Sequence, residues 1–244
     1  MTLLPLPIAA AGPSVDWYLT RSTGAVALLL LSVAVALGVA DVRRLATPGW
    51  PRFVIDALHR NVSLLALVFL ALHVVTAVLD SFASISLTAA FVPFVGSYRP
   101  FWLGLGAVAC DLMLAVILTS LLRRRVGQRV WRATHWLVYA CWPIALLHTL
   151  GTGSDVKAAW LLLLSLGCLA LVLGAVLVRV FADLTRNRVR GRGLALGGAG
   201  AFALFLALWL PSGPLGSEWA RRSGTPPALL GHRAAKRSKI VVSR

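Results

Sequence analysis

Charge is scarce in this chain: Asp, Glu, Lys and Arg together make up 13% of its 244 residues, and only 8 of them are acidic. Soluble domains carry about 25% charged residues; against 59% apolar residues, the shortage excludes an ordinary water-soluble globule. Cysteine is rare too, with Cys110, Cys141 and Cys168 all inside apolar segments. There they act as small hydrophobes and exclude a secreted disulfide framework. The opening MTLLPLPIAAAGPSVDW has no basic region before its apolar stretch, and prolines interrupt it. Residues 1–17 are therefore expected to form an extracytoplasmic lead rather than a cleaved signal peptide.

Long apolar runs take the place of charge. Six candidate spans lie at about 18–40, 60–80, 102–122, 131–150, 158–180 and 194–211, each near the ~20 residues a helix needs to cross the hydrocarbon layer. Only helices fit these lengths. The expectation is an all-α fold, a polytopic transmembrane helical bundle of about six spans. Trp17, Trp50, Trp102, Trp131, Trp160 and Trp209 mark many of the ends, as headgroup-layer aromatics do. The sixth run, 194–211, is short and glycine-rich, so a full crossing, a tilted one and a re-entrant segment all stay open.

The net charge of +16 comes from arginines between the runs. Orientation rules and anionic headgroups account for them, so nucleic acid is not an expected partner and the lipid bilayer is. Arg43, Arg44, Arg52 and Arg60 follow the first span, Arg123, Arg124, Arg125, Arg129 and Arg132 the third, and Arg179, Arg186, Arg188, Arg190 and Arg192 the fifth. The other side has Arg21, Arg99 and Lys157 before the tail. The asymmetry puts the N-terminus outside a cell membrane. The tail, residues 212–244, resists this order: it carries seven more basic residues, yet six spans would leave it outside. It is expected to be disordered, and residues 182–193 to form a basic loop.

Four of the five histidines lie in two of the spans: His59 and His73 on the second, His135 and His148 on the fourth. Imidazole in hydrocarbon is costly and marks function by default. One crossing separates the two spans, so they run in the same direction and pair His59 with His135, and His73 with His148. Fourteen residues from His59 to His73 put the two levels about 21 Å apart. They also return to within roughly 40° of the starting face, whereas the thirteen from His135 to His148 miss by roughly 140° on a straight helix. Pro143 between them is a candidate for local distortion. A pair of axially ligated haem irons, another metal ion, a proton relay and packing are all open on the residues alone; two matched pairs favour the first.

On these histidines, spaced 14 and 13 on two helices separated by one more, the chain resembles the ferric reductase-like transmembrane domain proteins. That family includes the membrane cores of NADPH oxidases and ferric reductases and the haem-binding subunit of the bacterial periplasmic methionine sulfoxide reductase system. The resemblance covers about residues 20–180 and implies a haem-binding core over 18–181, with two b haems between spans two and four. His59, His73, His135 and His148 would be the axial ligands. It also implies electron transfer as an oxidoreductase subunit, with FMN or a quinone as further cofactors. Nothing after the fifth span is long enough for flavin and nicotinamide domains, and no GxGxxG follows a strand. The chain is thus similar to the short bacterial members, which need a separate donor, a quinol or a flavoprotein reductase, and an extracytoplasmic acceptor, a protein or ferric iron.

Lesser candidates surround the pairs. Arg60, Arg129 and Arg132 lie beside the His59 and His135 level, where propionate contact and orientation charge are alternative readings. Arg99 offers the same choice for the other haem. Asp111, inside the third span, is open to a proton path, a quinone contact or a neutral hydrogen-bonded role. Gly104 and Gly106 allow close approach by a helix or a macrocycle. His232 is read as a solvated tail residue.

Overall fold

The computed structural model describes residues 14–42, 51–153, 155–181 and 189–230, with the backbone alone for 42 and 189–192. Most of the lead, the expected basic loop up to 188, Ser154, His232 and the end of the tail lie outside the described residues. The elements are α1 (Val15–Val42), α2 (Arg52–Leu79), α3 (Leu87–Phe91), α4 (Pro100–Leu121), α5 (Arg123–His135), α6 (Val138–Thr152), α7 (Ala159–Phe181), α8 (Val189–Ser212) and α9 (Trp219–Arg222). There is no strand among the described residues. Five of these, α1, α2, α4, α7 and α8, are long and apolar enough to cross a membrane, so this is a multi-pass membrane protein.

The expected span 131–150 is not one helix. Trp136 and Leu137 divide it, leaving α6 with 15 residues, or about 22 Å of helix against a hydrocarbon layer of about 30 Å. The break is tightly wound: Leu137 donates to Thr134 O at 2.9 Å, Tyr139 to Trp136 O at 3.1 Å and Ala140 to Leu137 O at 3.0 Å. Such three-residue bonds wind the chain by about 20° more per residue than an α-helix. They reduce the azimuthal mismatch between His135 and His148. The helix runs on through Pro143; the interruption lies seven residues before the proline.

α1 packs along α2 and α7, and α4 along α6. Polar pins fix these contacts inside the apolar interior. Ser32, wholly buried, accepts from Trp142 Nε1 at 2.8 Å and donates to Leu28 O at 2.7 Å, tying α1 to α6. Thr20 donates to Thr76 at 3.0 Å, tying α1 to α2. Around them Leu28, Leu31, Trp142, Leu146, Cys168 and Val172 form the core.

The segment after α8 folds back on the bundle. Trp209 stacks on Trp102 at 4.9 Å, Trp219 Nε1 donates to Gly151 O at 3.1 Å, and Arg99 N–H donates to Gly224 O at 3.0 Å. These contacts join the end of α8 to the start of α4 and the end of α6. The sixth apolar run therefore ends beside the start of α4, and residues 213–230 cover the end of the bundle nearer His73 and His148.

Candidate functional site

α2, the last residue of α5 and α6 bring the four imidazoles together as two pairs. The ring centroids of His59 and His135 are 6.4 Å apart, and those of His73 and His148 are 6.2 Å apart. The ring planes are inclined by 75° and 78°. A metal–imidazole bond of about 2.0 Å, with roughly 1.1 Å more from nitrogen to ring centre, places two imidazoles on one metal about 6.2 Å apart. Both pairs meet that requirement.

Three of the rings are held from behind by a neighbouring helix. His59 Nδ1 lies 2.9 Å from Ala34 O, His73 Nδ1 2.7 Å from Thr20 O and His148 Nδ1 2.9 Å from Trp102 O. A carbonyl only accepts, so each Nδ1 carries the proton and each Nε2 keeps its lone pair, the tautomer that binds a metal. No Nε2 of the four makes a hydrogen bond among the described residues. In every case a glycine stands four residues after the accepting carbonyl. A methyl at Gly38 would lie 3.2 Å from the His59 ring, at Gly24 2.8 Å from His73, and at Gly106 2.5 Å from His148. Among the described residues His135 has no such seat: its Nδ1 is buried without a partner there, and its ring stacks on Trp131 at 5.3 Å.

A cavity of about 250 Å³ surrounds the His73 and His148 pair, lined by Gly24, Leu28, Gly106, Cys141 and Ala145 and reaching Arg21, Asp80 and Asp155. One water needs about 10–15 Å³, and interiors are otherwise close-packed, so this apolar hole has the size of an organic ligand. The residues present thus fit haem on three counts: ring separation, tautomer and space at the His73 end.

The arginines divide differently. Arg60, Arg129 and Arg132 are exposed at the His59 end and make no hydrogen bond or ion pair among the described residues. Arg99 is 3% exposed. Its Nη1 donates to Gly151 O and Thr152 O, each at 3.0 Å, and its Nε to Thr225 Oγ1 at 3.0 Å. It therefore binds the end of α6, where a cation also meets the negative end of the helix dipole. Arg21 is the basic side chain in the cavity wall, paired with Asp155 and placed 3.3 Å over Trp17. Sequence reasoning counted Arg21 only as orientation charge; its position inside an apolar run was the available signal. Gly24 and Gly38 were missed as well, although they repeat on α1 the 14-residue spacing of His59 and His73. Gly104 packs on Phe94 rather than on a histidine. Asp111 has no hydrogen-bond partner among the described residues and does not line the cavity.

A helical membrane protein with two histidine pairs stacked along its bundle is the class that fold and site define. Residues 23–146, just over half the chain, match the family described as ferric reductase like transmembrane component, and the chain belongs to that family. Comparisons with curated proteins and with solved structures found no match.

Proposed function

We propose that the chain is a b-type cytochrome subunit that carries electrons through the membrane on two haems, one held by His59 and His135 and the other by His73 and His148. The observation that carries this reading is the pair of 6.4 and 6.2 Å ring separations, each right for two imidazoles on one metal. Haem supplies an iron that accepts and releases one electron at a time. The chain's own residues do the rest. The carbonyls of Ala34, Thr20 and Trp102 hold the Nδ1 protons, which would leave each Nε2 lone pair available to a metal. A haem iron held by both imidazoles of a pair would keep no open position, which would favour electron transfer over oxygen binding. The 14 residues between His59 and His73 set the two levels about 21 Å apart and divide a crossing of about 30 Å into shorter steps.

The arginine asymmetry supports a cytoplasmic position for the His59 end in a cell membrane. Electrons enter there from a quinol or a flavoprotein reductase, with Arg60, Arg129 and Arg132 near enough in the chain to meet propionates or the donor. They leave from the His73 end to an extracytoplasmic protein or ferric iron. The test uses vesicles of known orientation, with a reductant on the His59 side and an impermeant ferric acceptor on the other. Acceptor reduction should require all four histidines. Undiminished reduction in His59→Ala or His148→Ala would overturn the relay.

A further inference from the structure

Three of the four imidazoles share one device and the fourth lacks it. Thr20 with Gly24, Ala34 with Gly38, and Trp102 with Gly106 each combine an accepting carbonyl with a glycine one turn later. In an α-helix that carbonyl is the hydrogen-bond partner of the glycine's own N–H. The missing side chain is what lets a ring from the next helix reach the carbonyl's second lone pair. At His135 there is no glycine seat, and the Nδ1 is buried with nothing to donate to, among the described residues.

We propose that the chain builds two unequal iron sites, in which Gly24, Gly38 and Gly106 are positioning residues and His135 is the unsupported ligand, so that the iron between His59 and His135 has the higher reduction potential. This rests on the haem reading above. Donation from Nδ1–H to a carbonyl raises the electron density at Nε2, and the stronger ligand favours ferric over ferrous iron. The His73 and His148 site has two supported ligands; the His59 and His135 site has one. Exposed Arg60, Arg129 and Arg132 act in the same direction, because positive charge near an iron favours its reduced form. The glycines separate the two causes.

The experiment is a potentiometric titration of the purified full-length chain followed by its visible haem bands, with each one-electron wave assigned by loss in His59→Ala or His148→Ala. The wave lost in His59→Ala should be the higher one. Gly106→Ala forces its methyl closest to a ring, at 2.5 Å against 2.8 Å for Gly24 and 3.2 Å for Gly38. It should therefore raise the lower wave most, by about tenfold in the one-electron equilibrium, or about 59 mV, or remove that haem. Gly24→Ala should do so less, and Gly38→Ala should shift only the higher wave, slightly. Gly174→Ala, where a methyl meets open space, should change nothing. If Gly106→Ala does not fold, the Gly38→Ala shift, confined to its own wave, still decides. Reversed waves, or equal shifts in Gly174→Ala and the seat variants, overturn the inequality while leaving two haems in place. A wild-type chain without haem overturns the haem reading and the inequality together.

Discussion

The two ends of the bundle hold similar histidine pairs by different means. At the His73 end both rings are seated on carbonyls, a cavity surrounds them, and the chain after α8 closes over the helix ends with Arg99 at its centre. At the His59 end one ring is seated, the other stacks on Trp131, and the neighbouring arginines are exposed. The contrast teaches that one site is organised by packing and carbonyl seats on both rings, and the other has a single seat and a flank of exposed arginines.

The strongest way to break this comparison is at Arg99. Removing its side chain in Arg99→Ala frees carbonyls at the end of α6 and the hydroxyl of Thr225. Hydrogen bonds from a charged group contribute about 1.5–3 kcal/mol each, so the melting temperature in detergent should fall clearly. In a chain loaded with haem as proposed, the bands of a haem at His148 should broaden before those of a haem at His59. A variant as stable as wild type would contradict a structural role for Arg99 at the end of α6.

A smaller loss is expected at the pin between α1 and α6. Ser32→Ala leaves Trp142 Nε1 buried without an acceptor, a cost of about 1–3 kcal/mol, and should destabilise both haem sites alike because Ser32 lies in the shared core. Thermal unfolding read separately at the two haems would show whether the effect is shared; loss confined to one end would divide the core in two.

The ring planes sharpen the comparison from the other side, since both pairs are inclined alike, at 75° and 78°. Near-perpendicular axial ligands predict strongly anisotropic low-spin ferric signals at both ends in electron paramagnetic resonance. An ordinary rhombic signal at either end would show that its rings turn on loading. The smallest effect on stability is expected for Arg129→Gln, an exposed change worth about 0.5 kcal/mol or less. Unfolding of that variant would contradict the picture of a solvated His59 end.

Much of this was legible from chemistry that hydrocarbon punishes. His59, His73, His135 and His148 are conspicuous in apolar runs, and helix direction alone pairs them correctly in space. The break at Trp136 and Leu137 was hidden because the apolar run continues across it, and hydropathy does not distinguish three-residue from four-residue hydrogen bonding. Pro143 drew attention as a breaker, yet α6 continues through it. The seats were hidden for another reason: the accepting atoms are backbone carbonyls, which residue type does not reveal. Arg99 belongs to a loop in sequence, but its partners lie 52 and 126 residues away, a separation that no local pattern encodes.

The central claim is most directly tested by the ratio of extractable haem b to protein in the purified chain and its histidine variants. The account predicts two haems per wild-type chain, one in His148→Ala or His73→Ala, one in His59→Ala or His135→Ala, and none when one histidine of each pair is replaced together. A wild-type chain free of haem, or a ratio unchanged by His148→Ala and His59→Ala, would contradict it.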